Sequence, residues 1–166
     1  MSGAPRGSEP DNPVTAVDRV VAALRAGGVA AEVRRFDEPV PTAAAAAAAL
    51  GCEVGAIANS LVFEADGEPL LVLASGAHRV DTAKVGALIG AERVRRASPE
   101  FVFAATGQEV GGVAPVGHPA PLRTVVDVDL AGYPVVWAGG GDHHTMFSAS
   151  YEDLLRVTGG EAAAVA

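Results

Sequence analysis

The residues with the most chemical potential lie in Gly107–His118, GQEVGGVAPVGH, where four glycines surround Pro115 with little bulk between them. Glycine costs backbone entropy inside regular structure and proline lacks an N–H donor, so this run is a loop. Bare backbone of this kind can present N–H groups to a ligand and stabilise negative charge on it. Val110, Val113 and Val116 are apolar anchors that would pin the loop down. A plain surface turn is the competing reading, but the loop is long for a simple connection. It is expected to floor a binding pocket.

Other reactive residues are less telling. The chain has no G-x-x-x-x-G-K-[ST] motif, and Gly107–Gly112 follows an expected helix rather than a strand, so nucleotide fingerprints do not apply. His118, Asp142, His143 and His144 are candidate metal ligands. Adjacent histidines on an extended segment point to opposite faces, and no third spaced ligand motif accompanies them, so no metal is expected. Cys52 has no visible activating partner and reads as a small residue past a helix end. Ser75, before Gly76 at an expected strand end, sits where a hydroxyl either meets a ligand or closes a turn.

The elements that must position these residues fit a single domain over residues 14–166, preceded by a loose tail over residues 1–13. Hydrophobic residues make up 49% of the 166, and mean hydropathy is +0.28, which suits a globular core. The net charge of −8 argues against non-specific nucleic-acid binding and against DNA, but not against gripping one end of a nucleic acid. No apolar run reaches membrane-spanning length, and the first residues lack the apolar segment of a secretory signal. One cysteine, Cys52, excludes an internal disulfide and suits the cytoplasm.

Along the chain, Thr15 caps a helix to Gly27, Val29–Phe36 reads as a strand, and Thr42 caps an alanine helix that stops at Gly51. Ile57–Ala65 and Pro69–Ser75 form the clearest hairpin, turned by Asp66-Gly67. Asp81 begins a helix closed by Gly90. Ala91–Ala97 is a short strand, and Ser98-Pro99-Glu100 opens a helix that ends at Gly107. Leu122–Val126, Pro134–Ala138 and Thr145–Ala149 are strands, with a turn at Asp127–Gly132. Ser150 and Asp153 cap a last helix to Val157. The pattern predicts an α/β domain of α+β type, with a mixed, mainly antiparallel, barrel-like sheet flanked by helices.

Four stretches taken together resemble a known family: IANSLVF at 57–63, LLVLASGAHRVDTAK at 70–84, ATGQEVGGVAPVGH at 105–118 and the late GGGDHHTMFS. The chain is similar to the YbaK/prolyl-tRNA-synthetase-associated domains, free-standing trans-editing aminoacyl-tRNA deacylases, over about Ala16 to Val157. The G-x-x-x-P segment, Gly111 to Pro115, is the most specific piece. The resemblance implies hydrolysis of the ester joining a wrong amino acid to a tRNA, of the Cys- or Ala-tRNA(Pro) type, in the service of translation fidelity. No cofactor or metal is implied. The implied partners are the aminoacylated end of tRNA and an aminoacyl-tRNA synthetase.

An aminoacyl ester is already activated, so it needs a placed water and a stabilised oxyanion more than a protein nucleophile. Related enzymes are thought to draw on the substrate's own hydroxyl or thiol. The resemblance places Asn59, Gly111, Gly112, Val113 and Ala114 at the catalytic centre, with backbone N–H groups of the loop on the carbonyl. Ser60, Ser75, Gly76, Pro115, His143 and His144 are the expected substrate contacts. Arg34, Arg35, Arg93, Arg95 and Arg96 are the candidates for the tRNA backbone. Family members usually carry a lysine where this chain has Asn59, and asparagine brings no charge. That departure keeps a second reading open: a weakened or inactive module that binds the acceptor end or a small aminoacyl-like ligand.

Overall fold

The computed structural model describes residues 14–166, so the expected tail over residues 1–13 lies outside the described residues. The elements run α1 (Ala16–Ala26), β1 (Val33–Arg35), α2 (Ala43–Leu50), β2 (Ile57–Ala65), β3 (Glu68–Ser75), α3 (Thr82–Ile89), β4 (Val94–Arg96) and α4 (Pro99–Thr106). After the glycine loop come β5 (Arg123–Asp127), β6 (Val136–Gly139), β7 (Thr145–Ala149), α5 (Tyr151–Thr158) and β8 (Glu161–Ala163). Short 3-10 turns occupy Val54–Ala56 and Val128–Gly132.

Local chemistry explains most of these boundaries. Thr15 and Asp18 form a reciprocal capping box on α1, each side chain accepting the other's backbone N–H at 3.0 Å. Ser150 and Asp153 do the same for α5. Thr42, Asp81 and Ser98 cap the other three helices through one side-chain acceptor each. Asp66 and Gly67 both take positive φ, 50° and 87°, which gives the two-residue turn between β2 and β3 its hairpin twist. The Asp66 carboxylate also accepts the N–H groups of Glu92 and Arg93, tying the hairpin tip to the start of β4.

Two expectations about strands need correction. The strand expected over Val29–Phe36 is only Val33–Arg35, because Val29 is still turned back onto Leu24 and β7 pairs just three residues. Strand β8 was not expected, since Glu-Ala-Ala carries little β signal; it forms because β5 offers it a parallel edge.

The sheet follows the order β1-β7-β6-β2-β3-β5-β8, with β4 also pairing β2. Pairs β1–β7, β2–β3, β2–β4 and β6–β7 are antiparallel, and β2–β6, β3–β5 and β5–β8 are parallel. The path runs from β1 to β8 without the described strands joining its ends. Strand β3 sits at the centre and is buried on both faces. Leu71 and Leu73 pack with α1, α4, α5 and the glycine loop, while Leu70, Val72 and Ala74 pack with Val85 of α3. Burial on both sides is why this strand reads as an unbroken apolar run. A third cluster joins Ala46 and Ala47 of α2 to Ile57 and Met146.

The pairing of β2 matters most for the site. One edge is matched to β3 from Ala58 to Ala65. The other edge meets β6 at Ile57 and Ala58, then β4 at Phe63–Ala65. Between them, Asn59–Val62 has no strand partner on that edge among the described residues. The sheet forks there, and the fork is a cleft.

Candidate active site

Two adjoining cavities share Asn59, Ser60 and Val113. The smaller, about 40 Å³, lies between Pro41–Ala43 at the start of α2, Gly111 and Val113 of the loop, and Asp142 and Thr145. The larger, about 600 Å³, is bounded by the stretch of β2 that lacks a partner on one edge, by Arg96, by Val110, and by His78 and Arg79 after β3. That volume is within the range of small-molecule sites.

The glycine loop keeps its shape through long side chains at its base. Gln108, 1% exposed, accepts the Ala114 N–H at 2.7 Å and donates to the Val116 carbonyl at 3.3 Å. His118 contacts the Ala114 carbonyl at 2.8 Å through Nε2. Gly117, at φ 85°, lies so close to α1 that a Cβ there would sit 3.0 Å from the Val20 N. The Gly112 N–H donates to the Glu109 carbonyl at 2.9 Å. Four amides were expected to face the ligand, and two of them, Gly112 and Ala114, are thus taken by intraloop bonds. The N–H groups of Gly111 and Val113 have no such partner among the described residues, and both residues line the smaller cavity.

Asp142 supplies the one carboxylate of the smaller cavity. Burial works against its ionisation, but the His144 backbone N–H, the Thr145 hydroxyl, Arg35 and His144 together hold its carboxyl below the ordinary value. Arg35 approaches it at 3.6 Å. Ser60 Oγ and Thr145 Oγ1 are buried with no partner of hydrogen-bonding geometry, although Thr145 Oγ1 is near enough to Asp142 to favour its charge. Unsatisfied hydroxyls in a cavity wall are costly unless a ligand or water meets them.

Several expected contacts are placed elsewhere. Ser75 is 2% exposed rather than open; its hydroxyl donates to the Gly55 carbonyl at 2.8 Å, and its N–H donates to Asp127 at 3.0 Å. Gly76 packs where a Cβ would strike the Val54 carbonyl oxygen. Both close the end of the hairpin and line neither cavity. His144 holds the Phe36 carbonyl at 3.0 Å and His143 holds the carbonyl of Val110, a wall residue of the larger cavity, at 2.9 Å, while neither ring itself lines either cavity. Pro115 is buried beneath the loop. Burial pushes the Cys52 thiol up, away from reactivity.

Of the arginines, Arg34 lies over the rings of Phe36 and Trp137 at 5.6 and 5.8 Å, and Arg95 pairs with Glu64 at 3.2 Å. Arg93 is exposed at the hairpin tip. Only Arg96 of the candidates lines a cavity. Sequence reasoning missed Thr42, Thr145, His78 and Arg79 as wall residues, and weighed Asp142 only as a metal ligand; no local spacing marks them. His78 faces Asp127 at 2.7 Å through Nδ1 and Asp129 at 2.8 Å through Nε2, so both ring nitrogens are engaged. These three are close enough to suggest a metal cluster, but the histidine is bonded to the acids rather than aimed with them at a common point.

A mixed sheet forked over a cleft, with two glycine-loop residues of unpartnered N–H in its wall, defines an α/β domain with a pocket walled in part by bare backbone. Residues 37–157 match the family model described as the aminoacyl-tRNA editing domain, and the chain belongs to that family. A proline–tRNA ligase of Nitratidesulfovibrio vulgaris (strain DP4) is 36% identical over 97 residues, which are 57% of this chain and 17% of the ligase. The chain thus spans only a small part of the curated ligases it matches. The uncharacterized protein YwhH of Bacillus subtilis (strain 168) is 29% identical over 124 residues, covering 74% of this chain and 78% of that one. A crystal structure described as a proposed trans-editing enzyme for prolyl tRNA synthetase superposes with a TM-score of 0.85 at 41% identity, covering 93% of this chain and 98% of the other. Among the described residues, no helix is long and apolar enough to cross a membrane.

Proposed function

We propose that the domain hydrolyses the ester of a mischarged tRNA, with tRNA(Pro) carrying a small amino acid as the substrate class. The free N–H groups of Gly111 and Val113 in the wall of the smaller cavity carry this reading. They receive the ester carbonyl oxygen as it becomes an oxyanion, where fixed donors are most effective. Asp142, held ionised, takes the α-ammonium of the aminoacyl group. Asn59 and the unsatisfied Ser60 hydroxyl stand at the junction of the two cavities and contact the sugar or the attacking water. The C–O bond of the ester breaks, water supplies the new oxygen and both protons, and the products are a free amino acid and deacylated tRNA. A cavity of about 40 Å³ supports a small side chain. The likeness to parts of proline–tRNA ligases supports tRNA(Pro) and a synthetase as partners.

Asn59 favours a second reading, a binding module without turnover, because it offers the junction a hydrogen bond but no charge. Incubation with a panel of mischarged tRNAs, following ester loss, separates the two. Deacylation above background supports the hydrolase. Retained tRNA binding with no ester loss on any substrate leaves only the binding module.

A further inference from the structure

Among the described residues, the Val110–Gly111 peptide unit is held at its carbonyl and not at its N–H. His143 Nε2 lies 2.9 Å from the Val110 carbonyl oxygen, and because a carbonyl only accepts, that nitrogen carries a proton and donates it. The described residues include no cis peptide bond, so across this planar unit the Gly111 N–H points opposite to the Val110 carbonyl, away from the imidazole. His143 lines a separate hollow of about 200 Å³ with Phe103, Gln108 and Glu109, whereas Gly111 lines the smaller cavity. Gly111 sits at φ 90°, and a residue without a Cβ gives the unit little resistance to rotation. The bond from His143 is what opposes it.

His143 is itself anchored. Its backbone carbonyl accepts the Val40 N–H at 2.7 Å, and Val40 lines the smaller cavity. The chain just before it packs closely on the loop, so that a Cβ on Gly112 would lie 2.9 Å from the Asp142 Cα. One residue thus ties the Val40 wall of the smaller cavity to the Gly111 wall, by its carbonyl at one and its ring at the other.

We propose that His143 is a positioning residue, which aims the Gly111 N–H into the smaller cavity by holding the carbonyl of the same peptide unit. This deepens the hydrolase reading and rests on it, since that N–H is one of the two proposed oxyanion donors. The ring lies in neither cavity, so His143 neither touches the substrate nor moves a proton. Donation to the carbonyl also polarises the peptide and makes its N–H a stronger donor. Without the bond the unit rotates, and a carbonyl oxygen turns toward the place where negative charge develops.

The test reads the direction of the N–H as well as catalysis. Residual dipolar couplings of the full chain report the orientation of each backbone N–H. In His143→Phe, which keeps a ring without a donor, the Gly111 coupling should change while those of Ala114 and Gly117 hold. In His143→Gln, which keeps a donor but cannot serve as a base, the Gly111 coupling should stay at its wild-type value. On one mischarged tRNA, His143→Phe should lose about tenfold to a hundredfold in kcat, with KM moving less than about twofold. His143→Gln should recover most of that kcat. Should His143→Phe fail to fold, His143→Ala takes its place with the same expectations. An unchanged Gly111 coupling in the variant without a donor overturns the inference whatever the activity. So does a wild-type kcat in that variant, a loss carried by KM instead of kcat, or an equal loss in His143→Gln. A shifted coupling in a protein whose wild type deacylates no substrate defeats the hydrolase reading and leaves the aiming of Gly111 standing.

Discussion

The Gln108 carboxamide accepts the Ala114 backbone N–H at 2.7 Å from a position that is 1% exposed. Its amide nitrogen donates to Val116, and His118 meets the Ala114 carbonyl from the chain beyond. A glycine-rich loop has little shape of its own; here two side chains act as its missing secondary structure. Ala114, next to Val113, is thereby held at both its N–H and its carbonyl.

Gln108→Ala should therefore do more than weaken the fold. Leaving a buried N–H unpaired costs about 1–3 kcal/mol, which urea denaturation would register. Deacylation should lose kcat with little change in KM, because the amides proposed as oxyanion donors drift while the outer walls stay. Gln108→Glu, which keeps the acceptor, should fall between the two proteins. A kcat equal to wild type in the alanine variant would show that the loop holds itself.

Gly112→Ala is expected to separate the loop from Asp142. A Cβ at Gly112 would lie 2.8 Å from the Asp142 carbonyl carbon and 2.9 Å from its Cα, both backbone atoms that cannot step aside. Overpacking of this kind costs about 1–3 kcal/mol. Gly132→Ala, with nothing within 4 Å of its Cβ, should change stability by no more than about 0.5 kcal/mol. Thermal melts of the two variants give the comparison.

Asn59→Lys should raise deacylation. A charged donor at the junction of the cavities adds a contact of about 1.5–3 kcal/mol, roughly tenfold or more in rate if it acts in the transition state. Asn59→Ala should lower the rate instead. Single-turnover kinetics on one mischarged tRNA reads both, and no gain from lysine would show that charge at this position is not limiting.

Stability should fall with acid in part through His118. Burial holds its pKa below the ordinary 6.5, with the Ala114 carbonyl pulling the other way. Below about 6.5 the unfolded chain binds the proton and the folded one resists it. The contribution is therefore complete above that pH and is lost as pH falls toward the lowered folded value. One such group gives a slope of at most about 1.4 kcal/mol per pH unit. Denaturation of wild type and His118→Gln between pH 7 and pH 5, taken as a difference, should show the variant's profile flatter.

Much of the fold was legible without coordinates because its signals are local. A capping residue and the N–H it meets lie three positions apart, as at Thr15–Asp18 and Ser150–Asp153. The Asp66-Gly67 turn needs positive φ at two adjacent residues and nothing else. Short β8 escaped notice because its cause is not in its own residues but in the open edge of β5.

The site was legible only in part. The glycine loop is marked by its composition, and Asn59 and Ser60 line the same cavity as its Gly111 and Val113. Ser75 looked open at a strand end, yet Asp127 and Gly55, both distant in sequence, close over it. The histidine pair looked like a pocket wall, yet each ring braces a carbonyl from another segment.

What the sequence determined alone was a set of helices, a hairpin and a backbone-rich loop, since each depends on propensities and hydrogen bonds within a few residues. Tertiary structure decided which amides stay free and which arginines stand unpaired. It also left Asn59–Val62 without a strand partner on one edge among the described residues, because β6 and β4 reach that edge of β2 from opposite ends. Those outcomes depend on pairings between segments far apart in the chain, whose geometry no local pattern encodes.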